Sequence, residues 1–194
     1  MSISVDRTSL SRRLPGDLAM WFFILAELTV FAILILAFAV TQVLHPELFR
    51  ESRAALDSSI GLALTLSLLT SGLLAALAVE QVRLARPQRG ALLLFGALLI
   101  SCLYVVLKLN EYGHLSSLGL GLEHNTFFTL YWILTGFHFL HVLLGLVILG
   151  WMAERCRRRA YSAQDCAGLE SGVLYWHMVD MVWVLLFPLV YVIN

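Results

Sequence analysis

The sequence predicts an all-α polytopic membrane protein, a bundle of five transmembrane helices with its N-terminus cytoplasmic and its C-terminus periplasmic. Three observations carry that prediction. Of the 194 residues, 60 % are hydrophobic and only 13 % charged, outside the range of soluble domains. Five apolar runs each approach or exceed the ~20 residues needed to cross a hydrocarbon core about 30 Å thick. The basic residues, finally, fall almost entirely on one side of those runs.

The first run, residues 18–43, is too long for the core of a signal peptide and is not followed by a small-residue cleavage site, so it is expected to stay as helix one. The second covers residues 58–82, with Ser67, Ser71 and Ala75 recurring every fourth position beside Thr70 and Gly72. Small residues let helices approach closely in lipid, so this stripe is a packing face. The third, residues 91–109, follows the short connection "RPQRG", which makes it the antiparallel neighbour of the second. The fourth is 126–151, with Gly136 and Gly145 expected to permit close packing, and the fifth is 173–193. None alternates polar and apolar residues as the strand of a membrane barrel would. Between the first two runs, Pro46 ends one helix and "HPELFRESRAALDS" fits a short surface helix. The whole of residues 1–194 reads as a single domain.

Arg7, Arg12 and Arg13 precede helix one, Arg83, Arg86 and Arg89 lie between helices two and three, and Arg155, Arg157, Arg158 and Arg159 follow helix four. The opposite connections carry Arg50 and Arg53, with Lys108 near a helix end. That asymmetry sets the predicted orientation, and the zero formal net charge conceals it. No surface of this composition suits nucleic acid. Cys102, Cys156 and Cys166 have no zinc-ligand spacing and are assigned no chemistry.

The polar residues inside the runs need a reason, since an ionisable side chain at the centre of a membrane helix costs about 2.5 to 3.5 kcal/mol on insertion scales. Glu27 interrupts helix one, His138 and His141 share helix four, and His177 and Asp180 share helix five. At 1.5 Å per residue, Glu27, His141 and Asp180 lie roughly 12 to 15 Å from the inner ends of their helices. That level suggests one buried polar layer in which imidazoles donate to carboxylates. Fixing helix register, handling protons and binding a metal are three readings of such a layer. Lys108, Glu111 and Tyr112 form an outer helix-end motif, expected to snorkel toward the headgroups.

Four segments in register, "FILAELTVF", "NEYGHL", "TGFHFLHVLLG" and "ESGVLYWHMVDMVWVLLF", resemble the signature segments of subunit III of the haem–copper oxidase superfamily. The likeness extends over essentially the whole chain, which resembles the last five helices of the seven-helix members. "RLPGDLAMWFFILAE" is most similar to the five-helix NorE-type protein associated with nitric oxide reductase; the alternative is subunit III of a quinol or cytochrome c oxidase.

The resemblance implies an accessory subunit of the bacterial inner membrane with no catalytic residue, metal or haem of its own. The haem and non-haem metal would sit in a partner catalytic subunit, and phospholipid would be bound beside it. It also implies that Glu27 takes the position of the family's buried, carbodiimide-reactive carboxylate. His138, His141, His177 and Asp180 fall on its polar positions, and Glu111 on its Glu-Tyr motif. Readings of another class are a small haem-binding redox protein, with helix-four histidine and His177 as ligands, and a proton-linked transporter.

Overall fold

A computed structural model describes residues 18–162 and 165–193. Arg7, Arg12 and Arg13, on which much of the orientation argument rests, lie outside the described residues. Among the described residues six α-helices follow in order: α1 (Leu18–Leu44), α2 (Pro46–Arg53), α3 (Ser58–Arg83), α4 (Pro87–Ser117), α5 (Thr126–Arg157) and α6 (Ala167–Phe187), with a π-turn at Pro188–Val192. All but α2 are long and apolar enough to span a membrane, α6 together with its π-turn.

Local sequence explains the ends of these helices. The Asp57 carboxylate caps α3 by accepting from the Ser59 N–H at 2.8 Å, and the Asn125 side chain caps α5 by accepting from the Phe128 N–H at 3.0 Å. Pro46 and Pro87 start α2 and α4, where a missing N–H leaves no bond unmade. At the other end α3 and α5 close with the same motif. Ala85 and Arg159 both take a left-handed φ of 56°, and the Arg86 and Ala160 amides each donate five residues back, to Gln81 and Arg155.

The helices extend beyond the apolar runs, most of all α4, which continues through Lys108, Glu111 and Tyr112 to Ser117. A drop in hydropathy marks where the hydrocarbon ends or a polar contact begins, not where hydrogen-bonded turns stop. Residues 108–112 are therefore mid-helix, not the helix end expected from the sequence.

The short connection pairs α3 with α4 along their length. Ser67, Ser71 and Ala75 are buried, and the Ser71 hydroxyl reaches across to the Ala97 carbonyl at 3.0 Å and the Ser101 hydroxyl at 2.7 Å. α6 lies against α3, α5 and α1, and its fit depends on missing side chains. A Cβ on Gly145 would stand 2.5 Å from the Trp176 ring, and one on Gly72 would collide with the Asp180 carboxylate. Gly136 meets nothing within 4 Å and has no such packing role. α1 is peripheral: its buried residues Ile24, Phe31 and Phe38 recur every seventh position, a narrow seam facing α5 and α6.

The last turn is tied to the bundle from outside. The chain widens into a π-turn at Pro188, and the carbonyls of this last turn, which have no helical donor, accept from side chains instead. Arg53, buried under this turn, donates from Nε to Val190 at 2.9 Å and from a terminal nitrogen to Leu189 at 3.2 Å. Ser58 donates to Tyr191 and Gln42 to Ile193. The two arginines counted on the outer connections thus differ, since Arg50 pairs with Glu47 at the surface.

Candidate functional site: polar groups within the bundle

The buried polar residues group by helix face. Glu27 on α1 meets His141 on α5, with Glu27 Oε2 3.0 Å from His141 Nε2. The other ring nitrogen, Nδ1, lies 2.8 Å from the Phe137 carbonyl, which can only accept. Nδ1 therefore carries a proton, and the bond to Glu27 needs another, held either on Nε2 or on the carboxyl. Both arrangements are neutral overall, and they differ by a transfer along one hydrogen bond. Phe31 and Phe137 stand edge-on to the imidazole at 5.1 and 4.6 Å between centroids, and Tyr175 donates to the His141 carbonyl.

His138, one turn away, serves a different contact. Its Nε2 lies 3.1 Å from the Val179 carbonyl of α6, so it donates there, and Nδ1 accepts from the Tyr104 hydroxyl of α4 at 3.3 Å. Both nitrogens are used by a neutral ring that joins α4, α5 and α6 and has no lone pair left for a metal. Neither nitrogen meets a carboxylate.

On α6, His177 Nδ1 faces Asp180 Oδ2 at 3.4 Å, with Asp180 buried against the backbone of α3 at Gly72. Among the described residues no hydrogen bond joins this pair to Glu27–His141 or to His138. The five residues expected in one layer thus form three separate units, because residues at one depth can point in different directions around their helices.

The expectation that Lys108 snorkels is overturned. Its side chain is 0 % exposed, and Nζ lies 2.7 Å from Glu111 Oε2 and 3.1 Å from the hydroxyls of both Tyr131 and Tyr191. Tyr191 in turn donates to Glu111 Oε1 at 2.7 Å. All three ammonium protons have acceptors, and the rings of Tyr112, Tyr131, Trp183 and Tyr191 surround Nζ at 4.8 to 5.7 Å. A buried ion pair holds where such bonds make up for lost hydration. Tyr112 is turned to another task, donating to Thr135 at 3.0 Å. Tyr131, Trp183 and Tyr191 were absent from the sequence expectation; the only signal was aromatic residues recurring on α5 and near the chain end.

Glu111 also borders a cavity of about 530 Å³ between the start of α3 and the far end of α4, lined in part by Asp57, Asn110 and His114. Among the described residues no three His, Cys, Asp or Glu side chains converge as a metal-ligand set. What the arrangement can do chemically is hold one mobile proton between Glu27 and His141 and lock α4, α5 and α6 together through Lys108 and His138.

Residues 16–194 match the family described as Cytochrome c oxidase subunit III. The chain is 39 % identical over 79 residues to cytochrome c oxidase subunit 3 of Thermostichus vulcanus, a stretch covering 40 % of this chain and 39 % of that protein. Against quinol oxidase subunit 3 of Bacillus spizizenii it is 27 % identical over 183 residues, 91 % of this chain and 86 % of the relative. Against probable quinol oxidase subunit 3 of Staphylococcus aureus it is 27 % identical over 179 residues, 92 % of this chain and 89 % of the relative. The match thus spans only 39 % and 36 % of the cytochrome c oxidase subunits of Thermostichus vulcanus and Synechocystis, but most of the quinol oxidase subunits.

Proposed function

The chain belongs to the cytochrome c oxidase subunit III family, and from that premise we propose that it serves as a non-catalytic accessory subunit of a respiratory haem–copper enzyme. The near-full-length similarity to quinol oxidase subunits carries this reading. The interior agrees with it: His138 uses both ring nitrogens on protein partners, and Glu27 and His141 bind each other across helices, as a supporting bundle requires.

Two partners have separate support. The segment "RLPGDLAMWFFILAE" favours a nitric oxide reductase catalytic subunit, by its similarity to the NorE type. The extent of the quinol oxidase matches favours a quinol oxidase. In either case the haem and metal belong to the partner, the redox chemistry takes place there, and phospholipid fills the grooves between chains. The Glu27–His141 proton and the Lys108 cage are assigned to stability and register in this subunit, with the N-terminus on the cytoplasmic side of a bacterial inner membrane.

The test is affinity purification of the tagged chain from its native membrane in mild detergent, with reduced-minus-oxidised spectra and protein identification on the eluate. Recovery of a haem-bearing catalytic subunit is expected and identifies the partner. A colourless eluate with no such polypeptide, or a Soret band from the chain by itself, overturns the proposal.

A further inference from the structure

We propose that the seam between α3 and α6 is the face on which the partner subunit docks, through a transmembrane helix that presents an acceptor oxygen to His177. This rests on the accessory-subunit reading above and specifies which surface serves it.

The seam holds a shallow groove of about 210 Å³. Val79, Val173 and Leu174 line it, the Arg83–Glu170 ion pair closes one end and His177 stands at the other. Beyond His177 the same stripe of α6 continues as Met181, Val184 and Leu185, all exposed. Most lipid-facing side chains of the bundle are plain hydrocarbon. Here an imidazole is 40 % exposed in its side chain.

Electroneutrality fixes what that imidazole offers. Among the described residues Asp180 has its ion-pair contact with His177 alone, through Nδ1. If the carboxylate is ionised, a neutral pair requires imidazolium, with hydrogen on both nitrogens. If the carboxyl is protonated, it donates to Nδ1, and the neutral ring keeps its hydrogen on Nε2. Nε2 is bare only in a net negative pair, which hydrocarbon disfavours most, or with the carboxyl proton on Oδ1, where among the described residues no acceptor is bonded to receive it. In the two remaining neutral states Nε2 of this groove-lining ring carries an N–H, and no protein acceptor is bonded to it among the described residues.

Lipid does not satisfy that donor. His177 lies seven residues along α6 from Glu170, roughly 10 Å at 1.5 Å per residue. A lipid whose headgroup pairs with Arg83 therefore lays acyl chain, not ester oxygen, across the imidazole. A polar group in hydrocarbon must find a partner within protein. A second helix along the seam, with a carboxylate, amide or hydroxyl oxygen opposite His177 and apolar side chains on Met181 and Val184, meets both requirements. Helix packing in membranes uses such contacts in place of a hydrophobic driving force.

The experiment places a photo-crosslinking benzophenone residue at Met181 on this face and, separately, at Leu99 and Leu140, both exposed on α4 and α5. Crosslinking in native membranes is followed by purification and identification of the attached polypeptide. A crosslink to the catalytic subunit from position 181, and none from 99 or 140, is expected. Alongside it, His177→Leu is expected to lower recovery of the partner by about fivefold to tenfold, the scale of one membrane hydrogen bond. His177→Gln, which keeps an N–H donor, restores recovery. Because His177→Leu also leaves Asp180 unpaired, Met181→Trp, which blocks the face without touching that pair, is expected to reduce recovery as well.

If the unmodified chain brings down its partner but crosslinks arise only from 99 or 140, the docking face is wrong and the accessory role stands. Crosslinks from 181 to a second copy of the chain, or to lipid alone, refute the docking face in the same way. Failure to recover any partner with the unmodified chain overturns the functional reading and the docking face together.

Discussion

Replacing Lys108 by Met removes a cation whose three hydrogen bonds all end inside the protein, and leaves Glu111 buried with Tyr191 as its remaining donor. Breaking a buried pair from one side costs about 3 to 5 kcal/mol, while replacing both partners with neutral groups costs much less. Lys108→Met is therefore expected to lower the unfolding temperature in detergent sharply, and Lys108→Met with Glu111→Gln to recover most of the loss. Equal melting of the single variant and the parent would show that the cage is not structural. Glu27→Gln behaves differently, because an amide N–H can donate to a neutral His141 at Nε2, and its melting temperature is expected to stay near the parent's. His141→Ala leaves Glu27 unpaired and is expected to cost about 1 to 3 kcal/mol. A calorimetric comparison in which both variants lose the same stability would contradict that difference. At this scale a sequence reveals depth more readily than direction. Counting along helices puts Glu27, His141 and Asp180 at one level, but only the azimuth decides that His141 reaches Glu27 while Asp180 turns toward Gly72. Lys108 was misplaced for a related reason: the polar residues after it look like an interface until the turns of α4 are seen to continue.

Among the elements, α3 and α5 each end on a residue other than glycine in the left-handed region. A Cβ there costs roughly 1 to 2 kcal/mol per residue, so Ala85→Gly and Arg159→Gly are each expected to stabilise the protein by about 1 kcal/mol. Thermal unfolding of the purified variants checks this, and a drop in both would mean that the side chains contribute more than the backbone conformation costs. At the opposite end of α5, Asn125→Ala removes the cap and the bond from its amide to the Ser52 hydroxyl, for a loss of about 1 kcal/mol. Element type was legible throughout, since a run of about 20 apolar residues has few alternatives in a membrane. Element length was not. Hydropathy ends where side chains change solvent, whereas α4 and α5 end where their backbone is capped. The π-turn had one cue, Pro188, and its outside support from Arg53 connects positions 137 apart in the chain.

For the molecule as a whole, the predicted orientation makes a direct test available. With Arg83, Arg86, Arg89 and Arg155 to Arg159 flanking the same ends of the spans, alkaline phosphatase fused after Gly90 is expected to be inactive and fused after Asn194 active. The reverse pattern would invert the bundle. The five-helix architecture could be read from the apolar runs, but the order of packing could not: α3 and α4 pair as chain neighbours do, whereas α1 reaches past them to α5 and α6. That last arrangement bears on how the protein is made. α1 leaves the ribosome well before α5 and α6, the helices that receive its seam of Ile24, Phe31 and Phe38. At about 5 to 20 residues per second, the wait is roughly seven to thirty seconds. Throughout it Glu27 has no His141, and the first helix must remain in the bilayer with an acid group that nothing in the nascent chain yet covers. The closing of the Glu27–His141 bond is therefore a late event of assembly, possible only once α5 has entered the bilayer.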